Sequence, residues 1–256
     1  MTGAITHDYF DVAQMVLWGF WIFFAGLILY IRKEDKREGF PLVSDLPGRV
    51  PLEEGAFLPK AKTFTLHGGA TVLAPRREAP EAEPHAAPIA KFPGAPLEPT
   101  GDAMLAGVGP GSWCNRADVP ELMFETGAPK IVPLRVDHEF SVPAEDPDPR
   151  GMTVVGADDL AAGTCVDVWV DRSETILRYA EVKLTSGKVV MVPMTFLTIG
   201  GKPKVIKVRS ILSTQFDGVP TLASPEQITK LEEDKVCAYY GGGTLYATPE
   251  RSEPLL

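Results

Sequence analysis

The hydrophobic positions of this chain change period along its length, and each period predicts a different element. Val12 to Ile31 (VAQMVLWGFWIFFAGLILYI) is continuously apolar, carries no charge, and has Gln14 as its only strongly polar side chain. A helix of that length spans roughly 30 Å, the thickness of a bilayer's hydrocarbon core. Its eleven Leu, Ile, Val and Phe residues contribute about −3 to −7 kcal/mol on an insertion scale. Arg32, Lys33, Lys36 and Arg37 follow at once, and no Lys or Arg precedes the span. The positive-inside rule then puts residues 1–11 outside and the C-terminal bulk in the cytoplasm. A cleaved signal peptide would need a basic n-region and a shorter apolar run, so the span reads as a retained single-pass anchor. Within it Gly19 and Gly26 fall on one face, a small-residue stripe that would let another membrane helix approach closely.

After the anchor the pattern shortens. Residues 39–59 are extended and interrupted by prolines; Lys62–Leu66 and Ala70–Ala74 then flank His67-Gly68-Gly69 as a hairpin. Arg76 to Pro99 carries a proline every few residues and cannot hold a helix or a central strand. Residues 100–122 are glycine-rich around Trp113. Gly107-x-Gly109-x-Gly111 has no preceding strand, no following Lys-Ser/Thr, and Pro110 removes an amide donor, so an ordered loop is expected rather than a phosphate loop.

Beyond Lys130 the period is two. Thr164–Asp171 places Val166, Val168 and Val170 on one face, and Cys165, Asp167, Trp169 and Asp171 on the other. Leu177–Leu184 and Lys188–Val192 flank a Thr185-Ser186-Gly187 turn, and Val205–Val208 is a further strand. One helix closes the region, with Ser224 as N-cap, Pro225 at the first position and Gln227 completing a capping box; it should end near Lys235, before Gly241-Gly242-Gly243. The predicted fold class is a single transmembrane α-helix plus a mainly antiparallel β domain, a small barrel or sandwich, with one helix near the C-terminus. The expected divisions are an outer segment 1–11, the span 12–31, an extended membrane-surface region 32–129, the β domain 130–247 and a tail 248–256.

Charge and chemistry narrow the function. A net charge of −9 argues against a nucleic-acid partner, while the four cations after the span favour anionic lipid headgroups. Three separated cysteines (Cys114, Cys165, Cys237) and four scattered histidines (His7, His67, His85, His138) form no metal or haem motif. No nucleophile elbow, zinc-helix motif or Walker sequence appears, so a self-contained enzyme is not expected. The remaining candidate is Asp167, Asp171, Glu174, Arg178 and Glu181, around one strand end and its turn. Carboxylates this close can share or exchange a proton; equally, charged turn residues are commonly just solvated.

Several runs resemble the H-subunit family of purple-bacterial photosynthetic reaction centres. These are FWIFFAGLILYIRKEDKREGFPL, PKAKTF, PTGDAMLAGVGPGSW, PELM, VDVWVD, YAEVKL and SPEQITKLEEDKVCAYYGGGTLYATP, in order and nearly end to end. The resemblance implies an N-out anchor in the bacterial inner (intracytoplasmic photosynthetic) membrane and a cytoplasmic PRC-barrel-like domain. By it, the chain caps partner L and M subunits that carry bacteriochlorophyll, bacteriopheophytin, quinones and non-haem iron, ligates none of these cofactors itself, and helps deliver protons to the secondary quinone. Light-harvesting antenna and a cytochrome subunit are further partners that it suggests. It places the acidic proton-transfer positions on Asp171 and Glu174, and an arginine on Arg178. The family also has surface histidines shortly after its P-E-L string. Here the string runs PELMFETGAPK, so Glu125 or another surface acid takes up protons, or the route starts elsewhere. The rival reading is a membrane-tethered β-barrel adaptor whose acidic turn docks a soluble partner.

Overall fold

Asp11 starts the first helix. Its side chain accepts from the Ala13 amide at 2.9 Å, satisfying one of the donors that a helix start leaves unpaired. In the computed structural model, which describes residues 11–39, 58–76, 85–92, 94–200 and 204–252, this helix, α1, spans Val12–Glu34. It is long and apolar enough to cross a membrane, and none of its residues is buried within the chain. Arg32 and Lys33 lie in its last turn, where cations complement the helix dipole. Residues 1–10, 40–57, 77–84, 93, 201–203 and 253–256, which hold most of the expected N-terminal segment and part of the tail, lie outside the described residues.

The chain divides into two compact units, one drawn from residues 1–82 and 92–94, the other from 83–91 and 95–256. In the first, β1 (Lys62–Thr65) pairs antiparallel with β2 (Thr71–Ala74). Gly68 and Gly69, both at positive φ, supply the turn conformation that other residues adopt only with strain. Arg37 ties this hairpin to the helix end. It pairs with Glu34 through two 2.8 Å contacts and donates to the Lys60 and Ala74 carbonyls at 3.0 and 2.9 Å.

The second unit holds a short ribbon, β3 (Ala86–Pro88) with β4 (Leu97–Pro99), its prolines at strand edges where a missing donor is tolerated. The main sheet is built on β7 (Ala161–Asp171) and β8 (Ile176–Leu184), the longest strands. Along the edge of β7 away from β8, β6 (Thr153–Val155) pairs with its first half and β5 (Ile131–Pro133) with its last three residues, Trp169–Asp171. β9 (Val189–Pro193) extends the sheet beyond β8, through a turn in which Gly187 has positive φ. On the other side β11 (Val205–Val208) joins β6 in parallel, and β10 (Leu197–Ile199) joins β11 antiparallel. The fold is therefore the predicted anchor plus a mainly antiparallel sheet, with one parallel pairing.

The two-face pattern expected for β7 holds only at its start. Val166 is exposed, but Cys165, Asp167, Val168, Trp169, Val170 and Asp171 are all buried. β5 pairs along the end of β7; beyond it the chain brings Arg135 against Asp167, and before it Lys130 reaches Asp171. Trp169, Val168, Val182, Val192 and Phe216 centre the core, each such side chain contributing about 1.5–3 kcal/mol of apolar burial.

That C-terminal helix, α2, corrects the sequence expectation. It runs Lys230–Tyr246, not from Ser224 to Lys235, with Thr229 as N-cap and Glu232 closing the capping box. The Gly241-Gly242-Gly243 run lies inside it. A Cβ on Gly241 would sit 2.5 Å from the Pro110 carbonyl, and one on Gly243 2.4 Å from Ile211 Cγ2. The glycines serve close packing instead of ending the helix. The facing loop is ordered, as expected, but Met104, Ala106, Val108 and Gly111 fill the contact, while Trp113 stays 40% exposed under Lys235, whose ammonium lies 4.9 Å from its ring centroid.

Candidate functional site

Asp171 ends β7, and its side chain builds the turn into β8. Oδ1 accepts from the Ser173 and Glu174 amides at 3.0 and 3.1 Å, the local bonding that Asp uses to close turns. The turn returns through Thr175 at positive φ, and Asp171 lies opposite Ile176 in the register. Oδ2 faces the other way, fully buried and without a well-aligned hydrogen bond among the described residues.

Two cations stand over that oxygen. Lys130 Nζ is 3.4 Å away and Arg178 Nε 3.9 Å. Lys130 arrives because β5 pairs with the end of β7, its carbonyl accepting from the Arg172 amide at 3.0 Å. Its amide in turn donates to Glu121 at 2.7 Å, within a small hairpin closed by the Leu122–Pro129 bridge. Lys130 Nζ therefore also reaches Glu174 Oε1 at 3.6 Å and Glu121 Oε1 at 3.9 Å. Burial alone would lower the Lys130 pKa, but the Asp171, Glu121 and Glu174 carboxylates outweigh it and raise the group above its ordinary value. Lys130 is a fixed cation at neutral pH.

Asp171, Glu174 and Arg178 thus come together as the sequence suggested, joined by Lys130 and Glu121, which the sequence did not reveal. Asp167 and Glu181 do not join them. They sit opposite each other in the β7–β8 register and share Arg135, whose Nη1 is 3.0 Å from Asp167 and 2.6 Å from Glu181. Trp169 Nε1 adds a 2.8 Å hydrogen bond to Glu181, and the Val168 amide one of 2.9 Å to Asp167. These acids are structural partners of one arginine.

Another buried acid, Glu233 on α2, also went unseen. The Tyr179 hydroxyl donates to it at 2.9 Å. Burial raises its pKa, Tyr179, Arg178 and Arg116 pull the other way, and Glu121 adds to the rise. Glu125 is exposed at the tip of the 122–129 hairpin and forms no hydrogen bond or ion pair among the described residues. Gly19 and Gly26 have open space where a Cβ would stand. Of the basic cluster, Arg37 is committed to Glu34 and the hairpin. Among the described residues no group of three His, Cys, Asp or Glu side chains is placed to hold a metal.

Comparison with known families agrees with this layout. Residues 144–213, which include β6 to β11, match the PRC-barrel domain. Residues 3–136, which include the anchor, the hairpin and β5, match the N-terminal region of the photosynthetic reaction centre H-chain. With more than half of its length in that match, which takes in the apolar membrane-anchoring helix, and with a PRC-barrel behind it, the chain belongs to the photosynthetic reaction centre H-chain family.

Proposed function

We propose that this chain caps the L and M subunits on the cytoplasmic side, and that Glu174 and Asp171 pass protons from water toward the secondary quinone. The anchor would hold the N-terminus outside, with Gly19 and Gly26 facing a partner helix and Arg32, Lys33 and Lys36 at the headgroups. The chain itself would contribute no pigment ligand and no catalytic step beyond proton transfer.

The observation that carries the proton role is Asp171 Oδ2. It is a fully buried carboxylate oxygen, unpaired by any aligned donor among the described residues, and held between Lys130 and Arg178. A carboxylate needed only to close the turn would use Oδ1 and leave Oδ2 in solvent. Glu174 is half-exposed and linked to the same oxygen through Lys130, which gives the pair one wet end and one dry end. Proton transfer requires partners within hydrogen-bond reach or one water of each other, and Lys130 sets that spacing. Glu121 is a further half-exposed acid on the same cation, and it stands ahead of Glu125 as a second group that takes protons from solvent.

Glu174→Gln and Asp171→Asn test this directly. Each keeps the shape and the acceptor for the turn, yet neither can release a proton at neutral pH. Proton-coupled transfer of the second electron should slow about tenfold or more, provided bypass routes cost at least about 1.4 kcal/mol. The double variant should fall short of additive, because both lie on one path. Primary charge separation should be unchanged. Flash-induced kinetics in which all three variants match the wild type would leave these acids as turn and surface charge.

A further inference from the structure

A cleft of about 420 Å³ opens beside the C-terminal end of α2, far along the chain from the Asp171 turn. Its walls come from Thr195 and Phe196 of the 3-10 turn before β10, Thr198 of β10, Arg209 and Ser210 after β11, and Arg251. No acidic side chain lines it. In a chain of net charge −9, two guanidinium groups on one cleft without a carboxylate reverse the local sign.

The two arginines are held differently. Arg251 is fixed by carbonyls, its Nη1 donating to Ser210 and Gly243 at 2.7 Å each and its Nη2 to Arg209 at 3.0 Å. Those bonds leave further N–H donors of the planar group uncommitted. The Arg209 side chain is exposed and its guanidinium forms no hydrogen bond or salt bridge among the described residues, with Asp159 interacting with it only at longer range. Ser210 is buried and takes part through its carbonyl, which helps hold Arg251 at the cleft.

We propose that this cleft binds a phosphate group. Guanidinium forks match phosphate oxygens in geometry and charge. The exposed residues Thr195 and Thr198 on the same cleft carry hydroxyls that can donate to the remaining phosphate oxygens. Phe196 and Leu197 give the cleft an apolar wall against which the organic part of a phosphomonoester can lie. A free phosphate compound and a lipid headgroup share this chemistry.

Calorimetric titration of the full chain in its detergent-solubilised complex separates the two sources. Inorganic phosphate in chloride buffer is one probe and dihexanoyl phosphatidic acid the other. Saturable binding of one equivalent per chain is expected, with inorganic phosphate alone sufficient if the ligand is soluble and only the lipid effective if it is a headgroup. Arg209→Gln should weaken that binding about tenfold or more. Its side chain is exposed and unbonded, so an unchanged melting temperature controls for folding. Thr198→Val, which removes a hydroxyl from the exposed wall of the cleft, should weaken it as well. No saturable binding of either probe, or wild-type affinity in either variant, overturns the assignment.

Discussion

Burial, more than charge, separates the acids of this chain into those with a role and those that are only solvated. Lys130 and Glu233 are shifted in the same direction, upward, so both lose stability as pH rises, but near neutral pH the charged Lys130 stabilises the fold while burial penalises the charged form of Glu233. For Lys130 the raised value means that its stabilisation is complete below the ordinary lysine range and is lost only as pH rises through the folded value. For Glu233 the folded state binds a proton more readily than the unfolded one. Folding is therefore favoured most below the ordinary value of 4.5 and loses stability as pH rises through the folded value. Glu233→Gln keeps an acceptor for the Tyr179 hydroxyl but cannot ionise. It should be more stable than the wild type near neutral pH and should lose the decline that begins above that value, as read from thermal midpoints across pH. A decline as steep in the variant as in the wild type would mean that Glu233 ionises without penalty. At this scale Asp171, Glu174 and Arg178 were legible because one strand end and its turn hold all three. Lys130 and Glu233 were not, since each is brought in by pairing or packing from a distant segment.

Elements were legible wherever their determinants are local. The uncharged span, the Gly68-Gly69 turn and the Thr185-Ser186-Gly187 turn each gave the element that the structure contains. The start of α2 was not local. The run SPEQITKLEED holds two overlapping capping boxes, Ser224 with Gln227 and Thr229 with Glu232, and propensity prefers the first because Pro225 suits an opening turn. Tertiary contacts choose the second. Ile228 is buried at 2% exposure, and Thr229 bridges to Pro120, which keeps residues before Lys230 extended. Glu232 then accepts from the Thr229 amide at 2.8 Å and the Ala223 amide at 2.6 Å. The two caps predict different costs. Thr229→Ala should destabilise the chain by about 1 kcal/mol, whereas Ser224→Ala, whose hydroxyl accepts only a 3.4 Å contact from Glu226, should change little. Melting temperatures of the two variants decide it, and a larger loss for Ser224→Ala would restore the earlier start.

For the whole molecule the open matter is which side of the membrane the β domain occupies, and the cysteines supply a reporter. Arg32, Lys33 and Lys36 follow the span directly, and cations beside a membrane helix favour the cytoplasmic face. A thiol reacts as its thiolate and only where reagent can reach it. Cys165 is buried, and its pKa is pushed up to about 12, chiefly by burial. Cys237 is half-buried against the Tyr179 hydroxyl, and burial raises it too. Cys114 alone is exposed. An impermeant maleimide should therefore label native protein essentially at Cys114, and Cys114→Ser should remove that signal while denatured protein still labels at the other two. In sealed vesicles the Cys114 signal should appear only when the cytoplasmic face is outward. Denatured samples of both vesicle orientations fix the full yield, so that a partner covering Cys114 is told apart from a membrane shielding it. Strong Cys114 labelling from the outer face of right-side-out vesicles would invert the orientation. The Asp171 turn would then lie outside the cytoplasm, away from the compartment from which the proposed route draws its protons.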